Sequence, residues 1–166
     1  VDLKDNGGSV ELTAKKGSAN KVVRVEERNS NGDLVRVIAY GIYPEGTRSP
    51  DGRVYKGRTG IARVAMATGA PIVLIGMIGS GKANPIGTTI PRPVKVRIKV
   101  SEQIHPHAWA AEHGFDPASR EVMRPFTDYC MRRLAAMVGE DYVDVYASDV
   151  KKALEETGDY PEEARP

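Results

Sequence analysis

The chain has 166 residues, 40% of them apolar and 28% charged, which is enough for one domain with a buried core and argues against disorder. Its single cysteine, Cys130, excludes an internal disulfide framework and a multi-cysteine zinc cluster, and is compatible with a reducing compartment. The net charge of +2 hides a segregation: ten basic residues against Asp51 alone between Arg48 and Lys99, then seven basic against fourteen acidic from Val100 onward. A basic middle third suits an anionic partner, whether phosphate, lipid headgroup or nucleic acid; it suits a solvated strand face as well. Aromatic residues make up only 6% of the chain and no stacking or groove-reading motif is visible, so no nucleic-acid partner is expected. No signal peptide is seen and no apolar run nears the ~20 residues of a membrane span. Any membrane contact is therefore expected from the surface or through sequence outside this chain.

From Val1 to Tyr40 the pattern is that of β structure. Val22–Val25 and Leu34–Ile38 are β-branched and partly alternating, and they flank Asn29–Asp33, whose Asn-Gly pair signals a hairpin. Gly7-Gly8 and Gly17-Ser18 punctuate loops. Gly41-Ile42-Tyr43 then runs into a turn-rich stretch, Pro44 to Gly52. Between Gly57 and Ala70 an amphipathic helix is predicted, with Ile61, Val64, Ala65 and Thr68 on one face and Gly69 as its stop. Pro71–Ile75 is a continuous apolar run of strand length, suited to burial on both faces. Val94–Val100 alternates with period two, which predicts a buried apolar face and an exposed face of Lys95, Arg97 and Lys99. Asp116 and Pro117 fit the start of a long helix striped by Val122, Phe126, Cys130, Leu134 and Met137, which Pro125 must kink or start afresh. Ser148–Thr157 is a short charged helix stopped by Gly158, and an acidic tail expected to be mobile follows. Strands followed by helices and strands in this order make an α/β domain.

The stretch richest in chemistry is Tyr43-Pro44-Glu45-Gly46-Thr47-Arg48-Ser49. Arg48 offers a planar fork of donors that matches phosphate oxygens. Thr47, Ser49 and backbone N–H groups around Gly46 suit the rest of a cradle, and Glu45 suits orienting Arg48 or binding a glycerol hydroxyl. An ordinary turn with a surface ion pair fits the same residues.

This stretch resembles motif III of the glycerolipid acyltransferases, with its Pro-Glu-Gly-Thr-Arg-Ser core. Pro50–Arg53, Lys56–Gly60 and Gly69–Val73 look like the same family, the last like its motif IV with Ile75 or Gly76 in place of a second proline. Pro85–Gly87, Ile90–Pro93 and Glu140–Tyr146 resemble bacterial 1-acylglycerol-3-phosphate (lysophosphatidic acid) acyltransferases. The likeness runs from about Gly41 to Ala147, roughly two-thirds of the chain. It implies an α/β sheet with flanking helices, incomplete at its N-terminus, and an acyl group moved from acyl-CoA or acyl carrier protein to 1-acylglycerol-3-phosphate. It implies no cofactor beyond that acyl donor as co-substrate, and no metal. The implied partners are the lysophospholipid and a membrane surface, with the protein peripheral on the cytoplasmic side of the cell membrane. By the same likeness Glu45, Gly46, Thr47 and Arg48 hold the acceptor phosphate, with Ser49 in support. Arg48 is then expected at the end of the strand through Ile42, part-buried, at the C-terminal edge of a largely parallel sheet.

Two features depart from the family pattern. The catalytic histidine of a His-x-x-x-x-Asp motif belongs upstream of motif III, yet His105, His107 and His113 all lie downstream and none has Asp five positions later. No catalytic residue is therefore assigned. Val1–Lys4 and Gly7–Ser9 look like the stretch at and after motif II, but Leu3 stands where arginine is usual, and a hairpin replaces the usual helix. Residues 1–40 thus read as a divergent β-rich segment, as a start part-way through the domain, or as sequence of other origin. Residues 41–147 read as the phosphate-binding region, and 148–166 as the short helix and tail. The alternative to an enzyme is a non-catalytic fragment or relative that binds phosphate or anionic lipid.

Three weaker signals are set aside. Gly76–Lys82 approaches a P-loop, but Ala83 replaces the magnesium-binding hydroxyl and Asn84-Pro85 opposes a helix. Under the acyltransferase reading, Lys82 of this loop is expected near the anionic substrate. The three histidines lack a carboxylate-and-histidine pattern and read as surface residues. Met66, Met123, Met131 and Met137 read as core or interface filling.

Overall fold

In the computed structural model, which describes residues 10–14, 23–28, 31, 33–83, 90 and 92–166, helices flank three small sheets. Strands β1 (Val10–Ala14), β2 (Val23–Arg28) and β3 (Leu34–Gly41) form an antiparallel sheet in that order. The hairpin expected around Asn29–Asp33 is the β2–β3 pair, which joins Val23 to Gly41 and Arg28 to Leu34 across two register shifts. Gly7-Gly8, Gly17-Ser18, Gly32 and Pro85–Gly87 lie outside the described residues.

Strand β4 (Val54–Tyr55) pairs in parallel with β7 (Tyr142–Val143), and β5 (Ile75–Ile78) pairs antiparallel with β6 (Arg97–Val100). The α/β class stands, but the expected largely parallel sheet does not. Among the described residues the only parallel pairing is β4–β7.

Helix α1 (Gly60–Thr68) begins after Thr59 and ends at Gly69, whose φ of 67° is the left-handed stop that glycine adopts without strain. Its buried face is Ala62, Ala65 and Met66, a rotation from the predicted one. Val64 is exposed, and Thr68 returns its hydroxyl to the Val64 carbonyl at 2.8 Å and stays outside the core. The small alanines let α1 lie close against α3 (Pro106–Glu112) and α4 (Met123–Val138). Pro125 starts α4 afresh. The chain before it turns at Asp116, whose carboxylate accepts the Ala118 N–H at 2.9 Å. A proline in the first turn of a helix removes no bond that the helix would have made.

The main core joins Ala62, Ala65 and Met66 to Leu74, Ile104, Trp109, Val122, Phe126 and Cys130. Trp109 is its aromatic centre, with ring centroids 5.0 Å from Phe126 and 5.3 Å from Tyr129. Burial pushes the Cys130 thiol up to about 12, so it acts as a packing group. His107 bonds the Met66 carbonyl at 2.7 Å and so ties α3 to α1, while His113 bonds the Trp109 carbonyl of its own helix end at 2.8 Å.

The strand after Gly69 is displaced from its prediction. Ile72 makes an isolated bridge to Ile104, and the ladder proper begins at Ile75. Leu74 and Gly76 face inward while Val73, Ile75 and Met77 face out, so the run is buried on one face only. Strand β6 meets half of the expectation made for it: Lys95, Arg97 and Lys99 are exposed, but the apolar face is not buried. Its apolar residues Ile98 and Val100 join Ile75 and Met77 on an exposed face, each with 48–65% of its surface open. The other face carries Gly76 and Lys99. Lacking a side chain, Gly76 lets Leu134, Met137 and Val138 of α4 close on the ribbon, and Lys99 lays its stem there to donate to the Met137 carbonyl at 2.7 Å.

The described part of the loop ends in the short helix α2 (Ser80–Ala83), and Asn84-Pro85, on which the P-loop reading turns, lie outside the described residues. Helix α5 (Ala147–Thr157) ends at Gly158, φ 79°. The tail expected to be mobile folds back as a 3-10 turn, Glu162–Ala164, with Ala164 fully buried against Tyr55, Val143, Ala147 and Val150.

Candidate functional site

The loop from Tyr43 to Arg53 is held as two successive turns. In the first, the Gly46 N–H donates to the Tyr43 carbonyl at 3.1 Å, and Gly46 takes φ 72°. A side chain there would be strained by the backbone, while its Cβ would meet Arg58 Nε at an ordinary contact distance of 3.5 Å. In the second turn, the Ser49 hydroxyl accepts the Gly52 N–H at 2.8 Å, and Asp51 accepts from Arg53 Nε at 2.8 Å and from the Tyr55 hydroxyl at 2.9 Å. Burial opposes the Asp51 charge, but the bonds from Arg53 and Tyr55 outweigh it and hold its carboxyl below the usual range. Arg53 also donates to the Ala164 carbonyl at 2.6 Å, which fastens the second turn to the chain's end. Ser49 and Gly46 thus shape the loop with the groups that sequence reasoning assigned to a phosphate.

Three residues of the loop remain. Arg48 is exposed, not part-buried, with its charge close enough to depress that of Lys151. Thr47 is half-buried and its hydroxyl accepts from Lys151 Nζ at 2.7 Å. Glu45 is turned inward. Its carboxyl accepts the Tyr55 N–H, yet burial outweighs both that bond and the nearby Lys151 charge and raises its pKa from 4.5 to about 7. Arg58 flanks the loop, its N–H on the Pro44 carbonyl at 2.8 Å and its guanidinium 5.0 Å above the Tyr146 ring. The loop therefore gathers positive charge beside a carboxyl that is about half neutral at pH 7, an arrangement that favours an anion. Lys151 and Arg58 were not singled out by sequence reasoning as part of this site. Arg58 lies in the Lys56–Gly60 stretch noted for its family likeness; Lys151 carried no signal in its spacing.

The raised Glu45 value sets a pH dependence. The folded state favours the protonated carboxyl, so its contribution to stability is complete below pH 4.5 and is lost as pH rises through about 7. Glu45→Gln is expected to flatten the stability profile over that interval, with a gain at pH 8 of ~1–2 kcal/mol once screening by water is allowed for. Urea midpoints across the interval measure it, and a parallel profile in the variant would place the titration elsewhere.

Other sequence candidates stand apart from this loop. Lys82, Lys95 and Arg97 line an open basic hollow with Ile78 and Gly79. Among the described residues no group of three His, Cys, Asp or Glu side chains is arranged to hold a metal ion, and no helix is long and apolar enough to cross a membrane.

The Acyltransferase family model matches residues 6–78, a span that begins within the β-rich segment and contains the whole loop. The chain is 41% identical over 64 residues to the chloroplastic 1-acyl-sn-glycerol-3-phosphate acyltransferase LPAT1 of Arabidopsis thaliana, covering 38% of this chain and 18% of that protein. It is 34% identical over 101 residues to the 1-acyl-sn-glycerol-3-phosphate acyltransferase of Limnanthes alba, covering 54% and 36%. Among solved structures, the 1-acyl-sn-glycerophosphate (LPA) acyltransferase PlsC from Thermotoga maritima aligns over 59% of this chain and 37% of its own, at 30% identity and a TM-score of 0.44. The chain is lysophosphatidic acid acyltransferase-like in sequence, and its matches span about a third or less of the curated relatives' length.

Proposed function

We propose that this chain is the acceptor-binding part of an acyltransferase that moves an acyl group onto 1-acylglycerol-3-phosphate in phospholipid synthesis. The observation that carries this reading is the loop itself. A segment inside the family match presents an arginine and a threonine hydroxyl at the surface, in a neighbourhood of excess positive charge. Arg48 takes phosphate oxygens through its fork, Thr47 adds a hydroxyl, Glu45 in its neutral form spares the anion a facing charge, and Gly46 and Ser49 fix the turns. The acyl donor is acyl-CoA or acyl carrier protein, and the substrate's acyl chain brings the protein to the cytoplasmic surface of the membrane.

The reaction also needs a base within hydrogen-bonding reach of the acceptor hydroxyl. His107 and His113 are engaged with helix carbonyls, and His105 sits at the start of α3. The chain alone is therefore expected to bind glycerol 3-phosphate and 1-acylglycerol-3-phosphate saturably in calorimetry, and to leave acyl-CoA hydrolysis and transfer at the no-enzyme rate. Absence of binding by the folded chain would defeat the assignment. Turnover lost on changing one of the three histidines would move the active centre.

A further inference from the structure

Helix α5 follows the region that resembles the family, yet it reaches the loop at two points. Ser148 and Lys151 are three residues apart and so share a helix face. Ser148 Oγ accepts from Arg58 Nη2 at 3.3 Å, and Lys151 Nζ donates to Thr47 Oγ1 at 2.7 Å. Three cations thus meet at one loop: Arg48 within it, Arg58 shortly after β4, and Lys151 from the remote α5. We propose that Lys151 is a direct ligand of the phosphate, a second cation that closes on the anion opposite Arg48, with Arg58 held in place behind Gly46 by Ser148. This rests on the phosphate reading of the loop and adds to it a residue outside its motif.

The geometry favours a ligand over a simple strut. An ammonium has three protons, and the bond to Thr47 uses one. Lys151 is only half-buried, so water, or an oxygen of an anion, reaches the rest. The site also leaves this charge under-compensated. Burial first, and the Arg48 charge second, depress Lys151, while Glu155 one turn along α5 and the part-neutral Glu45 offset them incompletely. A phosphate monoester with one to two negative charges relieves that repulsion; a neutral glycerol hydroxyl does not.

The test uses the whole chain with glycerol 3-phosphate, 1-acylglycerol-3-phosphate and inorganic phosphate as separate probes. Lys151→Met keeps the apolar stem and removes the charge. It is expected to weaken binding of all three by about ten- to a hundred-fold, and to reduce the salt dependence of affinity. Lys151→Arg keeps the charge and is expected to recover most of the loss and the salt dependence. A folded Lys151→Met chain with unchanged affinities, and only a lower melting temperature, would make the residue a strut and overturn the proposal. The reading of the loop would survive that result as long as Arg48→Ala still lost binding. In the unsubstituted chain, saturating glycerol 3-phosphate should slow acetylation of Lys151 several-fold, read by mass spectrometry. Equal rates with and without the ligand would also overturn the proposal, whether or not any variant folds.

Discussion

Arg48→Ala is expected to weaken binding of glycerol 3-phosphate and 1-acylglycerol-3-phosphate by ~1.5–3 kcal/mol, the worth of hydrogen bonds to a charged group. The effect should fall on affinity and not on stability. Arg48 is exposed, and the turns that shape the loop are closed by Gly46, Ser49, Asp51 and Arg53, so truncation leaves the fold's supports in place. Arg48→Lys should restore only part of the loss, because an ammonium is a point charge and cannot present two parallel N–H groups to two phosphate oxygens. A turn with an ordinary surface ion pair leads to the opposite pattern, with unaltered affinity and at most a small change in melting temperature. Calorimetry and thermal melts on the two variants separate these outcomes. An unchanged affinity in folded Arg48→Ala would remove the phosphate role from the loop.

Phe126→Ala is expected to cost ~3–5 kcal/mol, a large share of the ~5–15 kcal/mol that holds a domain of this kind together. Phe126 is fully buried in the first half of α4, edge-on to Trp109, in the cluster that joins α1, α3 and α4. Removing the ring loses its transfer free energy and leaves a cavity walled by helices that cannot collapse without breaking their own contacts. Phe126→Leu, which keeps most of the volume, should cost ~1–1.5 kcal/mol. Urea unfolding followed by Trp109 fluorescence reports both, since the indole is the ring's direct neighbour. A cost below ~1 kcal/mol for the alanine variant would mean that α3 and α4 do not share this core.

Much of the local structure was legible because it depends on neighbours in sequence. Alternation with an Asn-Gly pair marked the β2–β3 hairpin, Gly69 and Gly158 marked helix ends, and Val122, Phe126 and Cys130 marked the buried stripe of α4. Period two in β6 showed that its faces differ but not that its apolar face stays open. The side that α4 approaches is set by Gly76, a residue on another strand, whose missing side chain admits α4 beside Lys99. The site divided in the same way. The phosphate reading of Thr47 and Arg48 rests on their own segment and its family resemblance, whereas Lys151 sat in a charged helix like any solvated lysine. Its 2.7 Å bond to Thr47 spans 104 residues, and no local pattern encodes a contact of that length.

That length has a consequence for the order in which the protein is made and folds. The first of the two turns carries its own closing bond, but the partners that fix the loop come late: Ser148 and Lys151 on α5, the pairing of Val54 with Tyr142, and the Ala164 carbonyl near the last residue. The entropy of closing a loop grows slowly with its length, each doubling adding only ~0.6 kcal/mol, so these contacts cost little more than shorter ones once the chain is complete. What they impose is delay. During synthesis the loop emerges about a hundred residues before the helix that completes it, so its full set of contacts forms only after α5 has been made.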